Sequence, residues 1–328
     1  MKPAWHVAIA NISICRYARV SYRQYYSDPA VMLQAQKKAA AFLERRFGLK
    51  DCLKPFVDAP GGCLASVMGL RTIFPEENQL PCLNVTSPVI RSPQEIDNFS
   101  WKDLKADFNI SWRIRAWRYL KEQGYPCRIG GHDGSIMTTA GQVTGNLVFL
   151  WLKHRPEAGR RLLDLVTQAH FKVEALDRIL CGAEDAGYGY VGDDFAGLVS
   201  PEMFRTFLIP CYQKIYAGRA WRFFHSELLT CEHLRLAKDY LNISEFHGAG
   251  CARLTFEEMR QVMGEQFWVQ LTPTELFRLS PAQIKERIKV LAQSGARVVQ
   301  IYPGQDTPDQ NLEAALEAVR KECPGGQL

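Results

Sequence analysis

The sequence predicts an α/β chain, a (β/α)8 barrel with an N-terminal extension. From about residue 50, short β-rich runs alternate with stretches of helical periodicity. Eight such runs can be counted, the number a closed barrel of this kind needs. A chain of 328 residues is also long enough for an α/β barrel to remain one domain, here 1–328. An open doubly wound sheet is the alternative, but no GxGxxG follows the first expected strand.

The expected strands are "KPFVDAP" (54–60), "PCLNV" (81–85), "PCRIGGHDG" (126–134), "GYGYVGDD" (187–194), "WRFFHSE" (221–227), "LNISEFH" (241–247), "FWVQLTP" (267–273) and "RVVQIYPG" (297–304). Between them, "GRRLLDLVTQAHFKVEALDRILCGAEDAG" carries apolar residues near period 3.6 and ends in glycine. "SPEMFRTFLIPCYQKIYAG" opens with a Ser cap, Pro at the first helical position and Glu next. "SPAQIKERIKVLAQSGA" repeats that opening and closes at Gly295. Residues 1–50 read as a helical extension, with a long helix over 29–47, packed outside or over one end of the barrel.

Composition is ordinary for a globular protein, 47% hydrophobic and 23% charged. The net charge of +5 is small and spread along the chain, which argues against a nucleic-acid partner. No run of eighteen apolar residues suggests a membrane span. The opening "MKPAWHVAIANISICRY" lacks the apolar stretch of a secretory signal. Ten cysteines, none in a CxxC pair, are expected to be reduced thiols in a cytoplasm, with Cys63, Cys181 and Cys211 filling core space.

Reactive-capable groups end nearly every expected strand: Asp58, His132 with Asp133, Asp193 with Asp194, His225 with Glu227, Glu245 with His247, Gln270 with Thr272, and Gln305 with Asp306. In such a barrel, chemistry belongs to those ends. The two His/Glu pairs at i, i+2 would each project from one strand face. His225, Glu227 and one of His247 or Glu245 would supply three ligands to a zinc ion, leaving a position open for substrate. Such an ion polarises an ether or alcohol oxygen; without one, the same groups are general acids and bases. Blander readings exist. Glu227 could cap a helix starting near Leu228, Asp193 and Asp194 could cap the "SPEMF" helix, and His225 could be a satisfied core histidine. His6, His154, His170 and His233 read as surface or helix-face residues with no role. Tyr17, Tyr22, Tyr25 and Tyr26 precede the first long helix, where they could close over the barrel mouth or simply pack the extension.

The blocks "YVGDDFAGLVSPEMFRTFLIPCYQKIY", "FFHSE" and "VVQIYPGQDTPDQNLEAALEAVR" resemble the uroporphyrinogen decarboxylase superfamily from about residue 20 onward. The resemblance implies a (β/α)8 barrel and one of two activities, uroporphyrinogen decarboxylation or methyl transfer to or from cobamides. The decarboxylases carry an N-terminal "RQAGR", absent from "ICRYARVSYRQYYSDP", and a last-loop histidine where this chain has Gln305. The cobamide methyltransferases bind zinc through a His-x-Cys pair and a last-loop cysteine. Here the first position matches as His225, the second is Glu227, and the last is again Gln305. A His/carboxylate site is harder than a thiolate site and suits an oxygen-bearing methyl donor.

The resemblance therefore implies a zinc-dependent methyltransferase that moves methyl from a small methoxylated or methylated molecule to the cob(I)amide of a separate, transiently bound corrinoid protein. Its expected metal ligands are His225, Glu227 and His247. Asp193, Asp194 and Glu245 would be catalytic; His132, Tyr26 and Gln305 would bind substrate. A homodimer is compatible with this reading. The alternatives are a lyase acting on a carboxylated small molecule or tetrapyrrole, with Asp193 handling the proton, and an idle relative that only binds a tetrapyrrole or corrinoid.

Overall fold

The computed structural model describes residues 3–76, 79–182 and 187–328. The tail of the helical pattern at 183–186 lies outside them. The chain divides into two compact units. One gathers Met1–Val20, Gln34–Lys54 and Phe223–Leu328; the other gathers Ser21–Leu33 and Pro55–Arg222. The strands in chain order are β1 (Ala4–Val7), β2 (Thr72–Ile73), β3 (Cys82–Leu83), β4 (Tyr188–Gly192), β5 (Trp221–His225), β6 (Glu245–His247), β7 (Phe267–Leu271) and β8 (Val298–Ile301).

The first unit is a parallel sheet with helices over it. Its strands run β5-β6-β7-β8-β1, every adjacent pair parallel. Parallel neighbours need crossover connections, and helices supply them: Cys231–Leu241 between β5 and β6, Phe256–Met263 between β6 and β7, and Pro281–Ala292 between β7 and β8. Each start is written in the sequence. Thr230, Thr255 and Ser280 build reciprocal caps with the residue three positions on. Strand alternation then divides the sheet. Phe224, Phe246, Phe267, Val269, Val299 and Ile301 are almost fully buried and form the apolar core.

In the second unit, β2 and β3 form a small antiparallel pair, and helices dominate, the longest being Pro156–Cys181. The helix expected from "SPEMF" begins as foreseen, with the Ser200 hydroxyl accepting from the Met203 N–H at 3.2 Å. Over Phe204–Leu208 it widens into a π-helical turn before continuing as Ile209–Ile215. Pro210 sits in the first turn of that continuation, where its missing N–H costs least.

Several strand expectations differ from the structure. Residues 54–60 and 126–134 form no strand, and 81–85 contributes only β3. Pro55 and Pro60 each remove a ladder N–H, while Gly130, Gly131 and Gly134 take positive φ angles that a strand does not allow. Conversely, β1 supplies an edge strand from the segment read as extension. Cys63 and Cys211 are buried as expected, Cys181 is half-buried, and all ten cysteines are free. Among the described residues, no helix is long and apolar enough to cross a membrane.

Candidate functional site

The register of the first unit decides which side chains share a face. His225 pairs with His247, His247 with Trp268, Trp268 with Val298, and Gln270 with Gln300, which pairs with His6. Side chains alternate along each strand, so His225, His247, Trp268, Gln270, Gln300 and His6 all lie on the face opposite the phenylalanine core. This is why β5 and β6 both end in histidine.

His225 and His247 stand with ring centroids 4.8 Å apart and planes at 31°. The His225 Nδ1 lies 3.1 Å from the His247 carbonyl oxygen. A carbonyl only accepts, so Nδ1 carries a proton, and in the metal-binding form of the ring Nε2 is the nitrogen left to coordinate. That second bond fixes tautomer and orientation, as it does in metal-ligating histidines. His247 is buried, and burial, reinforced by the positive charge that His225 and His6 would carry, lowers its pKa to about 3. The Gln300 side chain beside the ring opposes that shift, yet the His247 Nε2 has no hydrogen-bond partner. Its ring edges toward Trp268 at 5.9 Å, and Trp268 toward His6 at 6.1 Å. The Trp268 indole N–H is likewise buried and unmatched. Buried polar atoms of this kind are uncommon and ask for a ligand.

The acidic members of the two pairs separate. Glu245 is buried at the start of β6, and Arg297 donates to it at 2.6 Å, so its charge is already matched. Glu227 lies two residues beyond β5 and is exposed. It does not cap the next helix, which begins at Cys231 with Thr230 and His233 as its capping pair. Gln305 is exposed in the turn after β8. That turn is pinned by the Gly304 N–H donating to the Thr307 hydroxyl at 2.8 Å and by Arg16, which bonds the Thr307 carbonyl and Asp309. Against a zinc site, two imidazoles fit, one held by a backbone carbonyl at Nδ1 and one with an orphaned nitrogen. Among the described residues, no three His, Cys, Asp or Glu side chains form a complete cage.

In the second unit, Asp193 is fully buried. Its carboxylate accepts from the Met137 N–H (2.6 Å), the Thr138 N–H (2.9 Å), the Thr138 hydroxyl (2.8 Å) and the Tyr212 hydroxyl (2.8 Å). Met137 and Thr138 belong to the first turn of the Ile136–Thr144 helix. Asp193 therefore caps that helix and not the "SPEMF" one. Burial pushes its carboxyl up to about 6 against those hydrogen bonds. Asp194 follows half-buried at the start of a short 3-10 turn. Tyr26 is buried among aromatic rings, close to Tyr25, Phe74 and Trp112, and its hydroxyl lies 3.2 Å from Asp58.

Asp58 is a residue that strand-end reasoning noticed without giving it a role. Desolvation pushes its carboxyl up to about 6, against the Arg113 guanidinium, which makes it a proton-holding group near neutral pH. His132 stands edge-on to His170, with ring centroids 5.8 Å apart. His170, read from the sequence as a helix-face residue, is 3% exposed. His233 is buried too, and His6 belongs to β1.

A sequence-family model described as uroporphyrinogen decarboxylase matches residues 3–321. The chain belongs to the uroporphyrinogen decarboxylase family. It is also similar in structure to a methyltransferase from Methanosarcina mazei, with a TM-score of 0.71 at 17% identity, covering 98% of this chain and 94% of that one. At that identity the likeness speaks for the fold, and with the family it places this chain in the α/β, (β/α)8-barrel class. No curated protein matches the sequence.

Proposed function

We propose that this chain is a methyltransferase that moves a methyl group from a small methoxylated or methylated molecule to the cob(I)amide of a separate corrinoid protein. The observation that carries the reading is the paired imidazoles at the C-terminal ends of β5 and β6, one with its Nδ1 proton fixed by a backbone carbonyl and the other with an unmatched Nε2. Family membership and the Methanosarcina methyltransferase of the same fold support it. His225 and His247 would hold a zinc ion through Nε2, with Glu227 as the third ligand. Bound there, zinc would supply Lewis-acid polarisation of the donor oxygen.

The protein's own groups do the rest. The His247 carbonyl keeps His225 oriented, and burial keeps His247 neutral, the form that donates a lone pair. The Arg297–Glu245 pair neutralises the sheet beneath without drawing on the imidazoles. In the second unit, Asp58 with Tyr26 beside it is a carboxyl part-protonated near neutrality, able to serve as a proton-holding group. Asp193 holds the first turn of the Ile136–Thr144 helix in place. The corrinoid arrives on another protein through a weak, transient interface. Free thiols throughout agree with a cytoplasmic setting.

A lyase acting on a carboxylated small molecule is the second reading, favoured by the raised Asp58 carboxyl, which could return a proton to a carbanion. The deciding experiment supplies free cob(I)alamin in reductant together with phenyl methyl ethers and follows the visible spectrum. We expect methylation by wild-type protein carrying about one zinc per chain, and loss of both metal and turnover in His225→Ala. Wild-type protein that stays metal-free when offered zinc sinks the metal role. Decarboxylation of a carboxylated panel without methyl transfer favours the lyase.

A further inference from the structure

Away from the sheet, within the second unit, lies a cavity of about 330 Å³ to which no role has been given. Arg128, His132, His170, Tyr188, Tyr190 and Arg219 line it. Its floor is the Pro156–Cys181 helix, which contributes two carboxylates from below. Asp177, fully buried, takes the Arg128 Nε at 2.7 Å and the Ile129 N–H at 3.0 Å. Glu174, also buried, takes Arg219 and, at 2.9 Å, Arg178. The two guanidinium groups are thus held in place by partners behind them, and a planar guanidinium fork is the protein's best recogniser of oxyanions.

His170 gives the independent pointer to a ligand. It is 3% exposed, lines this cavity, and its Nδ1 has no hydrogen-bond partner. Burial, helped by the charges of His132 and Arg219, keeps its pKa near 3, so the ring is neutral and holds one proton. Its Nε2 faces the Glu174 carboxylate at 3.9 Å, which draws the proton to that side. Nδ1 is then a bare acceptor. A ligand that completes the site brings an O–H to Nδ1 and oxyanion oxygens to the arginines and phenols.

We propose that this cavity binds a small oxyanion carrying its own hydroxyl group, the chemistry shared by a 2-hydroxycarboxylate and monohydrogen phosphate. Each guanidinium is already matched by one carboxylate, so selectivity comes from directed donors more than from net charge, and affinity falls in roughly the millimolar range. The site is independent of the proposed methyl transfer and survives its failure.

The test titrates full-length protein, its histidines labelled with ¹⁵N, with malate, inorganic phosphate and succinate, following the His170 Nδ1 resonance. Saturable shifts with malate or phosphate are expected, and which of the two binds more tightly identifies the source. Succinate, the hydroxyl-free control, should bind about tenfold more weakly, the worth of one buried hydrogen bond. Arg219→Gln should weaken malate about tenfold or more, and Tyr190→Phe provides a gentler variant should Arg219→Gln misfold. No saturable shift in the wild-type protein overturns the site. Equal binding of malate and succinate overturns the role given to the His170 lone pair.

Discussion

Asp193 and His247 are both buried polar residues beside a strand end, and they are satisfied in opposite ways. Asp193 receives four hydrogen bonds from Met137, Thr138 and Tyr212. His247 offers an Nε2 that nothing takes. Burying a polar group costs free energy unless it is paired, so the first spends its chemistry on holding the fold and the second keeps it in reserve. Sequence position does not separate them, because both look like reactive groups at strand ends. The hydrogen-bond count does.

The largest way to break the comparison is Asp193→Asn. An amide of the same shape keeps one acceptor and turns the other into an NH2 that faces the Met137 or the Thr138 backbone N–H. Leaving that buried N–H unmatched should cost about 2 kcal/mol or more, read as a drop in the urea midpoint at unchanged slope. His247→Phe should cost no more than about 1 kcal/mol, since its buried Nε2 has no partner to lose, while zinc uptake falls. Equal losses in the two variants would show that Asp193 does not carry the helix start.

Acid separates them next, and the signs are opposite. Asp193 is raised from 3.8 to about 6. Across that window the native state holds a proton the unfolded chain has released, so its contribution to stability falls as pH rises and is greatest below about 4. His247 is lowered from 6.5 to about 3. There the unfolded chain takes a proton the native state refuses, so stability is lost as pH falls from about 6.5 toward 3. Between neutral pH and about 4.5, His247→Phe should therefore lose less stability than wild type, and Asp193→Asn should lose more. Parallel profiles in all three proteins would contradict both shifts.

The smallest stability effect belongs to Glu227→Gln. The side chain is exposed, so unfolding should move by no more than about 0.5 kcal/mol. If Glu227 is the third ligand, zinc stoichiometry should drop all the same. A variant that keeps its metal would move the third ligand elsewhere.

The placement of His225 on β5 and of Glu245 with His247 on β6 was readable because the strand period is two and the residues between them, Phe224 and Phe246, are apolar. The helix start at Ser280 was readable because the cap and its partner lie within four residues. What sequence could not supply was distance. The donors that Asp193 satisfies are 55 and 56 residues upstream, and Arg297, which claims Glu245, is 52 residues downstream. Nor could it show that "PCRIGGHDG" abandons the strand, since glycine allows extended backbone as well as the positive φ it adopts at 130, 131 and 134. β1 was missed because a four-residue edge strand carries too few alternations to stand out.

The π-helical turn at Phe204–Leu208 sets the rotational phase of everything that follows it. One residue more than an α-helix needs has been absorbed there, and each residue of α-helix turns the next side chain by about 100°. Tyr212 lies beyond the bulge and reaches Asp193 at 2.8 Å only with that extra step in place. Deleting Arg205 would shift that phase by about 100° and uncouple this bond, swinging the Tyr212 hydroxyl out of reach although both residues remain in the chain. Far-ultraviolet circular dichroism would miss such a change, but the tyrosine absorbance would report it: a phenol released from a buried carboxylate ionises more readily and should titrate at lower pH. Losing the bulge would thus be felt at the far end of the helix, as a phase error carried to every residue after it.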